Sequence, residues 1–218
     1  MTLRAFSLPT GFLLAVFAFS VVQPASAQLA GRPAEEWIRT LDAPDRVTAL
    51  KVPEVLAALK IKAGQVIADI GAGSGIFSLP IGRAIRPGGT VYAVDIDQAL
   101  LDHIDMEATE QGMVNVKPIL GSPSDPLLPV DVDVAFLNDV LHHIEDRAGY
   151  LATLALYLKP GGRIAIIDFR PDTSPHKDDP TLVVSEEQAT KWLEPAGLKP
   201  VEHINLYNDR WFVVFAKQ

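Results

Sequence analysis

The sequence predicts an α/β protein built on a doubly wound, mostly parallel sheet of seven strands. Three observations support this fold class. Short apolar segments rich in β-branched residues alternate with helical patterns over residues 66–169, as in sheets whose parallel strands are joined by crossover helices. A glycine-rich turn follows the first apolar segment. Two strand patterns with no helix between them close the chain, which predicts a C-terminal antiparallel hairpin on the parallel sheet.

Each element has a local signal. A helix is predicted from Pro53, because proline suits the first turn of a helix, and it ends before residue 64. The strand predictions are residues 66–70, 90–95, 115–119, 132–138, 163–169, 199–206 and 210–216. The helices predicted between them are residues 75–86, 98–111, 146–158 and 185–196. Pro118 indicates that the third strand lies near an edge, and Ser185 with Gln188 forms a capping-box pattern.

The first 27 residues have the layout of a secretory signal peptide. Arg4 is followed by an apolar run at residues 11–22, and Ala25 with Ala27 forms a small-residue cleavage pattern. The run is shorter than the roughly 20 residues that span a bilayer. We therefore expect a signal peptide at residues 1–27, cleaved after Ala27, an N-terminal arm at 28–50 and one domain at 51–218. The protein would be exported without a stable membrane span; a membrane-anchored or cytoplasmic chain is the alternative.

Composition narrows the classes of partner. The chain has 19 basic and 27 acidic residues and a formal net charge of −8, which argues against a nucleic-acid partner because phosphates are bound by basic surfaces. A small-molecule partner is consistent with this excess of acidic residues. The chain has no cysteine, which excludes disulfides, thiolate catalysis and cysteine metal sites. It also lacks a His-x-x-x-His zinc pattern, so we expect no metal site. Nothing in the sequence indicates an oligomeric state.

The glycine-rich turn at residues 69–75 (DIGAGSG) follows the first strand, where doubly wound sheets bind ligands. Its glycines are Gly71, Gly73 and Gly75. Ile76 stands where a dinucleotide-binding G-x-G-x-x-G pattern has its last glycine. Asp69 would repel a pyrophosphate but attract an ammonium group, and Asp95, at the end of the second strand, can accept hydrogen bonds from both hydroxyls of a ribose. The pattern predicts a ligand with a ribose, an amine and a carboxylate, which describes S-adenosylmethionine.

Four motifs together resemble those of class I S-adenosylmethionine-dependent methyltransferases with a type 11/25-like domain. They are VIADIGAGSG at 66–75, VYAVDID at 91–97, DVAFLNDVLHHI at 133–144 and LKPGGRIAIIDF at 158–169. The resemblance extends from about residue 50 to the closing hairpin and implies a Rossmann-like fold with S-adenosyl-L-methionine as cofactor. It implies these contacts: Asp69, Gly71 and Gly73 with the methionine portion, Asp95 with the ribose, Ile96 with the adenine, and Asn138 near the methyl-bearing sulfur.

The segment after the third strand departs from the family pattern. Many members have Gly-Asp there, with the aspartate accepting a hydrogen bond from the adenine amino group, whereas this chain has Gly121 and Ser122. Ser122 is the expected replacement, and Asp125 is the alternative.

Three polar residues directly after the fourth strand are the candidates for catalysis: Asp139, His142 and His143. Histidine titrates near neutral pH, which suits a general base where the acceptor must lose a proton. Alternatively, one histidine packs against or caps the following helix, and Asp139 caps a helix or orients a neighbouring group rather than accepting a proton. His176 lies in a polar loop, residues 170–181, that could cover the acceptor.

The sequence thus predicts a methyltransferase that acts on a small-molecule acceptor. One alternative is a non-catalytic module that binds S-adenosylmethionine or S-adenosylhomocysteine. The other is an NAD-dependent oxidoreductase, against which the glycine spacing and the closing hairpin count.

Overall fold

The computed structural model describes residues 33–217. The predicted signal peptide at residues 1–27 lies outside the described residues. Among residues 33–217, none of the helices combines the length and the apolar character needed to cross a membrane.

Seven strands form one sheet. They are β1 (Val66–Ile70), β2 (Thr90–Asp95), β3 (Val116–Leu120), β4 (Val132–Asn138), β5 (Leu158–Phe169), β6 (Leu198–His203) and β7 (Arg210–Lys217). Their order across the sheet is β3-β2-β1-β4-β5-β7-β6. The first five strands run parallel, and β7 is antiparallel to both β5 and β6. The predicted Rossmann-like sheet with a C-terminal antiparallel hairpin is confirmed, and β3 is an edge strand, as Pro118 predicted.

The described helices cover both faces of the sheet. They are α1 (Ala34–Leu41), α2 (Pro44–Ala49), α3 (Val52–Leu59), α4 (Ser78–Ala84), α5 (Gln98–Glu110), α6 (Arg147–Leu156) and α7 (Glu186–Leu193). Short 3₁₀ helices lie at Leu141–His143, Pro180–Leu182 and Glu194–Ala196. The predicted capping box is present, because Ser185 accepts from the backbone of Gln188 and the Gln188 side chain accepts from the backbone of Ser185.

Successive residues of β4 point into two separate apolar cores, since side chains alternate between the faces of a strand. Ala135 and Leu137 belong to the core beneath α6 and α7. Val134 and Phe136 belong to the core beneath α3, α4 and α5. Burial on both faces explains why the central strands read as continuous apolar runs.

Several element boundaries differ from the sequence prediction, among them the following three. Helix α4 begins at Ser78 rather than at residue 75, because the glycine turn continues through Gly75 at φ 83°. Strand β5 begins at Leu158, which pairs with Val132 before the main register starts. Strand β6 ends at His203, three residues before the predicted end.

Candidate functional site

A cavity of about 390 Å³ opens at the carboxyl ends of β1, β2 and β4. The strand order reverses between β1 and β4, and such a switch point is where doubly wound sheets form ligand-binding crevices. Nearly all of the sequence-predicted cofactor residues line this cavity: Asp69, Gly71, Gly73, Asp95, Ile96, Ser122 and Asn138. Of the catalytic candidates, Asp139 and His143 line it.

The glycine turn forms one wall of the cavity through its backbone. Gly71 and Gly73 have φ values of 67° and 57°, a region that side-chain-bearing residues rarely adopt. A side chain at Gly71 would collide with Val140, and a Cβ at Gly73 would lie 3.1 Å from Leu41 Cδ1. Gly75 lies outside the cavity lining, and its contact with the ligand stays a prediction; a Cβ there would lie 3.0 Å from Ile104. Gly75 therefore lets the turn pack closely on α5.

The Asp69 carboxyl group is almost fully buried at the end of β1. The Ser78 hydroxyl donates a 2.5 Å hydrogen bond to its Oδ2. Burial raises the pKa of Asp69 to about 7, and the nearby Asp95 adds to the rise, against the lowering effect of the Ser78 hydrogen bond. A cationic group in the cavity would favour the charged form of this carboxyl group.

Asp95 ends β2 and is held by backbone donors. Its Oδ1 accepts hydrogen bonds from the N–H groups of Ile96 (2.8 Å) and Asp97 (3.1 Å), and its Oδ2 accepts one from Gly73 (2.9 Å). Burial raises the pKa of Asp95, and these hydrogen bonds oppose the rise. Because Oδ1 already accepts two hydrogen bonds, the remaining capacity for a hydroxyl donor lies mainly on Oδ2.

Ser122 lies at the far end of the cavity, but its hydroxyl is engaged locally. It accepts from the N–H of Asp125 (3.0 Å) and donates to the carbonyl of Asp125 (3.1 Å). Asp125 itself does not line the cavity, and its Oδ1 accepts from the Tyr157 hydroxyl at 2.9 Å. Tyr150, which the sequence did not single out, lines the same end, and burial raises the pKa of its hydroxyl.

Asn138 carries the clearest sign of a missing partner. Its side-chain Oδ1 is buried without a hydrogen-bond partner among the described residues. A buried acceptor left unpaired costs about 1–3 kcal/mol. A ligand with a donor or a positive charge at this point would satisfy it.

Asp139 is neutralised by a side chain that the sequence did not reveal. Its two carboxylate oxygens accept hydrogen bonds from Arg210 Nε (2.8 Å) and Nη2 (3.2 Å), and both side chains are buried. The Arg210 guanidinium also lies over the Phe169 ring at 4.2 Å. This ion pair favours the orienting role for Asp139 over that of a general base.

The two predicted histidines differ in environment. His142 is buried outside the cavity lining, and its Nδ1 lies 2.7 Å from Oδ1 of Asp168. His143 lines the cavity, and burial, with smaller contributions from His142 and His176, lowers its pKa to about 4. A pKa this far below neutrality makes His143 a weak proton acceptor. Asp168 is the next-to-last residue of β5, and its position near a strand end was the available signal.

The structure also brings a third histidine to this place. The ring centroid of His176 lies 5.3 Å from that of His142 and 5.8 Å from that of His143. One ring nitrogen of each of the three lies within 4.8 Å of the others. The expectation of no metal site rested on spacing along the chain, which does not detect ligands from separate segments.

The predicted N-terminal arm forms part of the cavity wall. Helices α1 and α2 contribute Trp37, Leu41 and Arg46 to the lining. The Ser74 hydroxyl donates a 2.5 Å hydrogen bond to Asp42, which ties the arm to the glycine turn. Arg46 Nη1 donates to the carbonyl of Leu41 at 2.8 Å, so the arm also places a cationic group at the cavity.

The strands around this cavity match a known family. Residues 68–166, which contain the glycine turn, Asp95 and Asn138, match the family model of a methyltransferase domain. Over this segment the chain is similar to methyltransferase domains. The matched segment runs from β1 into β5 and includes every predicted cofactor residue.

Curated methyltransferases are similar to this chain over part of their length. Nocamycin O-methyltransferase of Saccharothrix syringae is 33% identical over 106 residues, which cover 47% of this chain and 37% of that protein. Aklanonic acid methyltransferase DauC of Streptomyces sp. (strain C5) is 30% identical over 115 residues, which cover 51% of this chain and 52% of that protein. The matched part thus spans about half or less of these relatives.

A solved structure shares the fold over most of the chain. A SAM dependent methyltransferase from Aquifex aeolicus superposes with a TM-score of 0.74 at 23% identity, covering 84% of this chain and 98% of that one. This likeness establishes the fold alone, including strands outside the matched segment.

Proposed function

We propose that this protein transfers a methyl group from S-adenosylmethionine to a small-molecule acceptor. The observation that carries the proposal is the unpartnered Oδ1 of Asn138, which lies in one cavity with the buried carboxyl group of Asp69. Two acceptor groups at the ends of adjacent strands suit the positively charged methionine portion of this cofactor. A pyrophosphate, as in NAD, would place negative charge beside Asp69.

The cavity offers a partner for each part of the cofactor. Asp69 and Asn138 supply acceptors for the ammonium and sulfonium end, and Arg46 supplies a cation for the carboxylate. Asp95 Oδ2 accepts from the ribose, and Ile96 provides an apolar surface beside the adenine. When bound, the cofactor supplies an electrophilic methyl group on its sulfonium.

The residues beyond Asn138 position the acceptor. We propose that His143, neutral at physiological pH, contacts the acceptor from the cavity wall, and that His142 with Asp168 holds His143 in place from behind. Asp139, paired with Arg210, fixes the turn after β4. Holding the acceptor in line with the methyl group supplies much of the acceleration of such a reaction.

Calorimetric titration tests the cofactor assignment. S-adenosylmethionine and S-adenosylhomocysteine should each bind with one-to-one stoichiometry, and NAD should not bind. Replacing Asp95 with alanine should weaken binding roughly 10- to 100-fold, because it removes charge-assisted hydrogen bonds worth about 1.5–3 kcal/mol. Asp105→Ala is the matched control, since Asp105 is exposed on α5 and does not line the cavity.

Turnover separates an enzyme from a binding module. The protein is incubated with methyl-labelled cofactor and a panel of phenols, amines and carboxylic acids, and transferred label is measured. Label on one acceptor class, lost in Asp95→Ala, supports the proposal. Cofactor binding without transfer to any acceptor favours the non-catalytic module, and binding of NAD alone contradicts both.

We further propose that the chain is exported, on the strength of the signal-peptide layout at residues 1–27. N-terminal sequencing of the protein made in its own host, with cell fractionation, tests this. An exported chain that begins at Gln28 is expected; a cytosolic chain that retains residues before Ala27 would contradict export.

A further inference from the structure

The three clustered histidines come from two segments, one that follows β4 and one that follows β5. His142 and His143 belong to the 3₁₀ helix Leu141–His143 that follows β4. His176 lies in the loop at residues 170–181 after β5. The rings of His142 and His143 lie 4.1 Å apart, centroid to centroid, so three imidazoles converge beside the cavity.

A buried carboxylate outside the cluster orients the His142 ring. Asp168 accepts hydrogen bonds from the backbone N–H of His142 (3.1 Å) and pairs with its Nδ1 (2.7 Å). This leaves Nε2 of His142 as its available nitrogen. A buried carboxylate on the second nitrogen is the usual outer-shell partner of a metal-ligating histidine, where it fixes the tautomer and the ring orientation.

The Arg147 side chain holds the two segments together. Arg147 Nη2 donates to the carbonyls of His142 (2.6 Å) and Thr181 (2.5 Å), which joins the 3₁₀ helix to the end of the loop. The buried Ser174 Oγ accepts from the N–H of His176 at 3.0 Å. The position of His176 is therefore set by specific hydrogen bonds.

We propose that His142, His143 and His176 bind one divalent transition-metal ion. Imidazole ligands suit zinc, copper, nickel and iron, and three histidines with one open position form a known type of zinc site. Tetrahedral coordination places ligand nitrogens roughly 3.3 Å apart, so binding would draw the rings together from within 4.8 Å. Because His143 also lines the cavity, the open position would take water or an oxygen atom of a molecule bound there.

Metal titration of the full chain, produced without a histidine tag and stripped with a chelator, tests the site. Zn²⁺ in competition with a chromophoric chelator should bind with one equivalent per chain. Co²⁺ should give visible absorption bands of a four- or five-coordinate ion. His176→Ala should weaken Zn²⁺ binding at least tenfold, and Asp168→Asn roughly 10- to 100-fold.

His203→Ala is the matched control, because His203 is exposed on β6 and pairs with Glu186 away from the cluster. It should leave Zn²⁺ affinity unchanged. Thermal unfolding provides a second measurement: Zn²⁺ should raise the Tm of the wild-type protein and of His203→Ala, but not of His176→Ala. Binding of less than one equivalent, or equal affinity in His176→Ala and wild type, would overturn the proposal.

The metal proposal shares His143 with the proposed methyl transfer but is tested separately from it. Zn²⁺ binding is measured without cofactor, and S-adenosylmethionine is titrated into the metal-free protein. Loss of one result with retention of the other shows which of the two proposals has failed.

Discussion

At the ends of β1 and β2 the cavity is bounded mainly by backbone, whereas the segment after β4, on its other side, is held in place by side chains from distant parts of the chain. Asp95 is held by three backbone N–H groups within or near the glycine turn. Asp139 is held by Arg210, 71 residues along the chain, and His142 by Asp168, 26 residues along. The region held by backbone hydrogen bonds suits a ligand that is the same in many proteins. The region held by side chains can suit different ligands, since single substitutions change its chemistry.

The ion pair in the side-chain region gives the largest expected effect. Arg210→Met should lower the free energy of unfolding by about 3–5 kcal/mol, because it leaves the buried carboxylate of Asp139 without its counter-charge. Chemical denaturation, read from the transition midpoint at constant slope, measures the change.

The double variant Arg210→Met with Asp139→Asn is the control. It removes both charges and should regain a substantial part of the lost stability. If the single variant is as stable as wild type, the ion pair does not stabilise the segment after β4. The contrast with the region held by backbone hydrogen bonds then disappears.

The glycine turn contacts the segment after β4 where Gly71 lies against Val140. Gly71→Ala should cost about 2–4 kcal/mol of folding stability, because alanine is strained at φ 67° and its Cβ would collide with Val140. Gly64→Ala is the matched control: φ is 82° there, but no atom lies within 4 Å of the added carbon. Denaturant titration of the two variants separates the cost of φ from the cost of the collision. Equal losses would show that Val140 yields at no cost.

The same contrast explains what the sequence could predict. The glycine turn and Asp95 were found because their residue types and short spacing identify a backbone ligand cradle. Arg210 and Asp168 were missed as partners because each reaches its contact only after the sheet has formed. The histidine cluster was missed because the loop at 170–181 has no pattern that points towards β4. The predicted ligand contact of Gly75 rests on spacing alone, which does not distinguish a glycine that lines a cavity from one that packs on a helix.

The smallest expected effect is the release of a proton from Asp69, at the end of β1, when the cofactor binds. Burial raises the pKa of Asp69 to about 7, from about 3.8 in an unfolded chain. Between these values the folded protein without ligand binds more protons than the unfolded chain, so this group lowers the free energy of unfolding as the pH rises from 4 to 7. The ammonium group of S-adenosylmethionine should pair with the charged carboxylate, so binding should release a proton.

Cofactor affinity should therefore rise with pH, by at most tenfold per unit below pH 7, and level off above it. Calorimetry at pH 6 in two buffers with different ionisation enthalpies measures the released proton directly. Asp69→Asn should bind more weakly, without proton release from this group, and with a flatter pH profile between 5 and 7. If wild type and Asp69→Asn release the same number of protons, the ammonium pairs elsewhere, and the acceptor at Asn138 becomes the main anchor for the methionine portion.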